Sequence, residues 1–213
     1  MDHERLSQIH QSLTFAHGSL NDEYDEQLMS VANIQPDDRV LELGGDVGRN
    51  SCTIARLLRD SSTLVVFEPS ALAEAKLKQN RDTNGLKFHI ESAALSRVPL
   101  VHRDWDTKPL SSEALNDGWR SVPTLSWADV KKKYGTFNVL VADCEGALYY
   151  ILKDEPDLLS CFQKILIEND FKQIEHKLYV DALFVKNGMH CTFSNAGGGG
   201  PCRAMFYEVW SRV

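Results

Sequence analysis

Five acidic residues, Asp46, Glu68, Glu91, Asp143 and Glu168, each stand at or just beyond the end of a short apolar run. The runs, 39–43, 63–67, 86–90, 137–142 and 164–167, read as buried strands. An open parallel sheet binds its ligands beyond the carboxyl ends of its strands. Carboxylates gathered along that rim would suit a cationic ligand, or a divalent metal ion through oxygen donors.

The first run leads into Gly44-Gly45-Asp46-Val47-Gly48, a tight turn before a helix expected to open at Asn50 or Ser51. Glycines there let the backbone approach a ligand closely and aim the helix N-terminus at it. Glu68 follows about 20 residues on, where such folds place a carboxylate on a ribose hydroxyl. A dinucleotide and S-adenosylmethionine fit these features equally well. Two acids separate them. Asp46 occupies the third position of the Gly-x-Gly frame and would oppose a pyrophosphate. Glu42, two residues before the first glycine, suits a ligand carrying an ammonium and a sulfonium. Electrostatics thus favours S-adenosylmethionine over NAD.

Helices must make the returns between the strands. Residues 2–33 read as one or two helices broken near Gly18, with Leu6, Ile9, Leu13 and then Tyr24, Leu28, Val31 at helical spacing. Further helices are expected over 71–81, from Ala147, and over 178–186, the last stopped at Asn187-Gly188. Lys131-Lys132-Lys133 reads as an exposed helix end. Residues 96–123, with Trp105 and Trp119, are expected to be irregular with short antiparallel strands. Two last strands, 189–194 and 204–212, should flank a loop at Gly197 to Gly200 near the site. Strands alternating with helices predict the α/β class, a single-domain Rossmann-like fold. Its sheet should be mainly parallel with an antiparallel last strand, and helices should cover both faces. An N-terminal helical segment, 1–35, is expected to precede a domain over 36–213.

Composition narrows the function further. A net charge of −7 over 213 residues argues against a broad phosphate-binding surface, so nucleic acid is not an expected partner. Five scattered cysteines without a Cys-x-x-Cys pair argue against a disulfide framework or structural zinc, and for a reducing, cytoplasmic setting. The polar N-terminus does not read as a signal peptide, and no apolar run is long enough to span a bilayer.

The segments VLELGGDVGRNSCTIARLL, VVFEPS, FHIESAALS and VLVADCEGALYYIL, taken in order, resemble consecutive motifs of the FkbM family of methyltransferases. The resemblance runs from about Val40 to Asp170. It implies a Rossmann-like methyltransferase fold using S-adenosylmethionine. Glu42, Gly44, Asp46 and Gly48 would line the methionine part, Glu68 would hold the ribose hydroxyls, and Ser92-Ala93 would flank the adenine. Gly45, Asn50, Pro69 and Asp143 complete the candidate cofactor contacts. The chain departs from the family at Ala142, usually lysine there, and at Leu148, often glutamate.

Methyl transfer from a sulfonium is a direct displacement, and a hydroxyl acceptor must also lose its proton. Asp143, Asp170 and His176 are the candidate catalytic groups. If the fourth and fifth strands are neighbours, Asp143 and the Glu168-Asn169 pair surround one small volume, and the three are candidate ligands for Mg²⁺ or Mn²⁺. Metal-dependent catechol-type methyltransferases are similar at these strand ends. Glu145-Gly146 would cap the following helix or touch substrate. The expected activity is O-methylation of a small or carbohydrate acceptor, sugars or glycans being favoured. N- or carboxyl-methylation remains open, as does an inactive cofactor-binding module of a larger protein or a homo-oligomer.

Overall fold

Two helices, α1 (Asp2–Gln11) and α2 (Tyr24–Asn33), open the chain in the computed structural model, which describes residues 1–103, 106–110 and 118–212. Then follow β1 (Val40–Leu43), α3 (Arg49–Leu57), β2 (Leu64–Phe67), α4 (Ala71–Thr83) and β3 (His89–Glu91). Five short strands come next: β4 (Ala94–Leu95), β5 (Leu100–Arg103), β6 (Asp106–Pro109), β7 (Arg120–Val122) and β8 (Thr124–Leu125). The chain closes with α5 (Trp127–Tyr134), β9 (Val139–Ala142), α6 (Ala147–Asp154), β10 (Lys164–Glu168), α7 (Ile174–Lys186), β11 (Met189–Asn195) and β12 (Tyr207–Arg212).

The main sheet has seven strands in the order β11-β12-β10-β9-β1-β2-β3. Neighbours from β10 to β3 pair in parallel, and β12 alone runs against them, antiparallel to β10 and β11. This is the Rossmann-like α/β arrangement expected, with β9 and β10 adjacent. The irregular stretch forms a small antiparallel sheet, β6-β5-β7, and a β4-β8 pair. Trp105 lies outside the described residues. No helix among the described residues is long and apolar enough to cross a membrane.

The pleat explains where side chains go. Successive residues of a strand point to opposite faces. Leu41, Leu43, Val65, Phe67, Leu140, Ala142, Ile165 and Ile167 join one buried cluster with α5, α6 and α7. Val40, Leu64, Val66, Val139, Val141 and Leu166 join the other, with Leu6, Ile9, Met29 and Val31 of α1 and α2. The helical segment 1–35 therefore shares the core of the sheet.

Three element boundaries differ most from expectation, β12 starting at Tyr207 rather than at 204. The strand expected over 86–90 is shortened to His89–Glu91, because Leu86 N–H caps α4 at Arg81 O and Lys87 N–H goes to Ser61 Oγ. Helix α7 begins at Ile174 rather than Leu178, which puts His176 in its first turn.

Candidate functional site

A cavity of about 460 Å³ opens at the carboxyl ends of β1, β2 and β9. Its lining combines the acids Glu23, Asp46, Glu68, Asp143 and Glu145 with apolar residues that include Phe67, Ala93, Leu95, Leu100 and Ile151. Among the described residues, Glu23, Asp46 and Glu145 are the non-glycine residues with φ in the left-handed range, at +54°, +39° and +52°. All three line this cavity. Each such conformation costs about 1 kcal/mol or more, and strain of this kind concentrates where backbone is bent to serve a site.

The turn after β1 is built for close approach. Gly44, at φ +91°, donates its N–H to Phe67 O at 3.0 Å, and a Cβ there would stand 1.6 Å from Asp143 O. Gly45 and Gly48 pack instead on Val66 and Leu77, so they fit the turn to its neighbours rather than line the cavity. Asp46 donates its N–H to Glu68 Oε2 at 2.8 Å, and Ser70 N–H goes to Oε1 at 2.7 Å. The carboxylate still has lone-pair capacity for a ligand hydroxyl. Arg49 Nη1 pairs with Asp46 at 2.5 Å and Glu23 at 2.9 Å, and Nη2 lies 3.5 Å from Asp22. One cation for three acids leaves the cavity wall negative.

Several acids sit out of water. Glu42 is 1% exposed, accepts from Ser51 Oγ at 2.5 Å, and has no partner for Oε1. Burial pushes it up to about 8, and burial likewise lifts Glu68 to about 7. Folding therefore favours their protonated forms. The resulting stability is complete below the ordinary 4.5 and is lost as pH rises through about 7 and 8. The ligand-free protein should accordingly melt at lower temperature as pH rises from about 5 to about 8.5. A melting curve flat or rising over that interval would contradict these placements.

At the ends of β9 and β10 the register continues Ala142↔Ile167, setting Asp143 opposite Glu168. Both belong to the parity of Val139, Val141 and Leu166, so they face α2. Helix α2 packs across β10 and β12. Its Glu26, 3% exposed, meets them there: one carboxylate oxygen from each of Glu26, Asp143 and Glu168 lies within 4.8 Å of the others. Burial raises all three pKa values; Glu168 further raises those of Glu26 and Asp143, and Asp170 that of Glu168. Asp170 Oδ1 accepts from Gly146 N–H at 2.7 Å, tying the turn before α6 to the end of β10.

Of the residues singled out in the sequence, Gly44, Asp46, Glu68, Pro69, Ala93 and Asp143 line the cavity. Asn50 is buried below it, its Nδ2 donating to Glu26 Oε1 at 2.7 Å. Ser92, in the bend between β3 and β4, is exposed and does not line the cavity, whereas Ala93 does. Asn169, expected beside Glu168 as a ligand, falls on the opposite parity and donates Nδ2 to Met205 O at 2.7 Å. His176 does not line the cavity either. In the first turn of α7 it stacks on Tyr149, ring centroids 3.6 Å apart. Glu91, expected along the acidic rim, accepts from Lys133 Nζ at 2.6 Å and from Tyr134 Oη. Trp119 is flanked by Arg103 and Lys108 at 4.9 and 4.0 Å from its ring centroid. Gly197 and Gly198 pack against the Tyr207 and Phe206 rings rather than forming a slack loop.

Glu23, Glu26 and Arg49 were missed. Reading Tyr24, Leu28 and Val31 as the inward stripe assigned α2's polar residues to solvent, whereas Glu26, Gln27 and Ser30 are buried beside Met29. Glu26 and Ser30, four residues apart on one face, were the available signal.

No family model and no curated protein sequence matches the chain. Its fold is similar to that of an O-methyltransferase from Bacillus cereus in complex with SAH. The TM-score is 0.55 at 12% identity, over 99% of this chain and 90% of that one. The O-methyltransferase TomG from Streptomyces achromogenes, involved in tomaymycin synthesis and in complex with SAM, gives 0.55 at 12%, again over 99% and 90%. A ribosomal protein L11 methylase from Lactobacillus delbrueckii subsp. bulgaricus gives 0.56 at 13%, over 89% and 78%. The chain thus has the Rossmann-like methyltransferase fold.

Proposed function

We propose that the chain transfers a methyl group from S-adenosylmethionine to a hydroxyl of a small or carbohydrate acceptor, in the manner of the FkbM family. The observation that carries this reading is the cavity lining, which combines the acids Asp46, Glu68 and Asp143 with apolar side chains such as Leu95 and Leu100. A ligand with a sulfonium, an ammonium and a flat adenine matches that mixture, while a pyrophosphate would meet Asp46, Glu68 and Asp143. Glu42, Gly44, Gly45, Asp46, Gly48 and Asn50 form or underlie the methionine end. Glu68 and Pro69 border the ribose, and Ala93 borders the adenine. The unpartnered Glu42 Oε1 supports a polar group with a donor beside the Gly44 turn.

When bound, the sulfonium supplies an activated methyl group. The acceptor oxygen forms its bond to the methyl carbon as the carbon–sulfur bond breaks, and the hydroxyl proton passes to a carboxylate. Asp143, which lines the cavity, is the acid that would take it, with Asp170 as a second carboxylate nearby. A divalent ion held at Asp143 and Glu168 would supply Lewis acidity toward the same hydroxyl.

Calorimetry tests the cofactor. S-adenosylmethionine should bind and NAD should not. Glu68→Gln should weaken binding about tenfold or more, the worth of a charge-assisted hydrogen bond. Binding of NAD alone would overturn the reading. Labelled cofactor offered to a panel of sugars and glycans tests the acceptor, and transfer to amines only would remove the hydroxyl.

A further inference from the structure

We propose that Glu26 of α2 is a protein ligand of a divalent cation, together with Asp143 and Glu168, so that the N-terminal helices complete the reaction centre. The use of the ion rests on the methyl transfer proposed above; its binding does not.

The geometry comes first. Oxygens from three different elements converge within 4.8 Å of one another. Ligand oxygens about 2.1 Å from one octahedral ion lie roughly 3 to 4 Å apart. The donors are all carboxylates, without thiol or imidazole, a set that suits Mg²⁺ or Mn²⁺ before zinc. Charge comes second. Arg49 is committed to Asp22, Glu23 and Asp46, and among the described residues no ion pair reaches Glu26, Asp143 or Glu168. Three carboxylates in such a space must hold either protons or a cation.

Independent of that cluster, two buried acceptors beside it lack a donor. Asn50 is 4% exposed and lays its carboxamide on Glu26, yet its Oδ1 has no partner. Glu42 Oε1 has none either. Such groups are costly unless something polar reaches them, and water molecules around a bound ion supply donors. Asn169 donates Nδ2 to Met205 O, on the parity opposite to Glu168, and its Oδ1 too is buried without a partner.

The full chain is titrated with Mn²⁺ alone and followed by electron paramagnetic resonance. One bound ion per chain is expected. Glu26→Gln preserves the Asn50 contact, and should weaken Mn²⁺ about tenfold or more, since even outer-shell partners of a metal cost 10–100-fold. Glu91→Gln, removing an acid away from the cluster, should leave affinity unchanged. Should the Glu26 variant fail to fold, wild-type amide spectra decide. Bound Mn²⁺ should bleach the signals of α2 together with those following β9 and β10. No binding at millimolar Mn²⁺, undiminished affinity in Glu26→Gln, or bleaching that spares α2 overturns the proposal. Calorimetry of S-adenosylmethionine in chelator separates the two readings: cofactor binding without Mn²⁺ binding removes only the ion.

Discussion

Replacing Asp143 by asparagine is expected to lower turnover about 100-fold or more while leaving the fold intact, the scale of a lost general base. Asp143 ends β9, lines the cavity, and has Glu168 opposite it on β10. Asparagine keeps the shape but can neither take a proton nor neutralise a cation. Stability should move the other way. Burial and the neighbouring Glu168 and Asp170 raise the Asp143 pKa well above the ordinary carboxylate range, so removing its charge relieves the folded protein. Melting temperature at neutral pH should hold or rise as the rate falls. Turnover equal to wild type would take Asp143 out of the chemistry, and a collapse in melting temperature would make its role structural.

Gly44→Ala is expected to cause the largest loss of stability of any single glycine change outside Gly197 and Gly198. The left-handed backbone costs a non-glycine residue about 1–2 kcal/mol. Forcing an atom to 1.6 Å from Asp143 O adds overpacking of about 1–3 kcal/mol. The strands carrying both residues are paired, β1 to β9, and cannot separate to make room. A fall in melting temperature of about 5–15 °C should follow. Two comparisons isolate the causes. Gly85, at φ +62° with nothing within 4 Å, should show only the backbone cost, and Gly199, open and outside that range, should show none. Melting temperatures that fail to fall in the order Gly199, Gly85, Gly44 would refute this account of the turn.

The sheet was legible because its strands are continuous apolar runs, and the acids ending them could be counted along one rim. Legibility failed wherever direction mattered more than position. Glu168 and Asn169 are consecutive in sequence and were grouped together, but the pleat sends them to opposite faces. His176 was placed by its distance from β10, yet α7 starts earlier and carries it into an aromatic stack on Tyr149. Glu91 looked like Glu68 in sequence, and only the fold brings Lys133 and Tyr134 onto it. Glu26 was hidden by the ordinary rule that acids on a helix face water. Its burial depends on α2 crossing β10 and β12, a long-range contact that no local pattern records.

The shared parity of Asp143 and Glu168 also bears on how such a chain can change over time. Loops beyond the strands can lengthen or shorten without disturbing which way these acids point. A single-residue insertion or deletion within β9 or β10 would rotate one of them to the α7 side and leave Glu26 facing only the other. Descendants of this chain are therefore free to vary in their connections and held strictly to the count of residues inside two short strands.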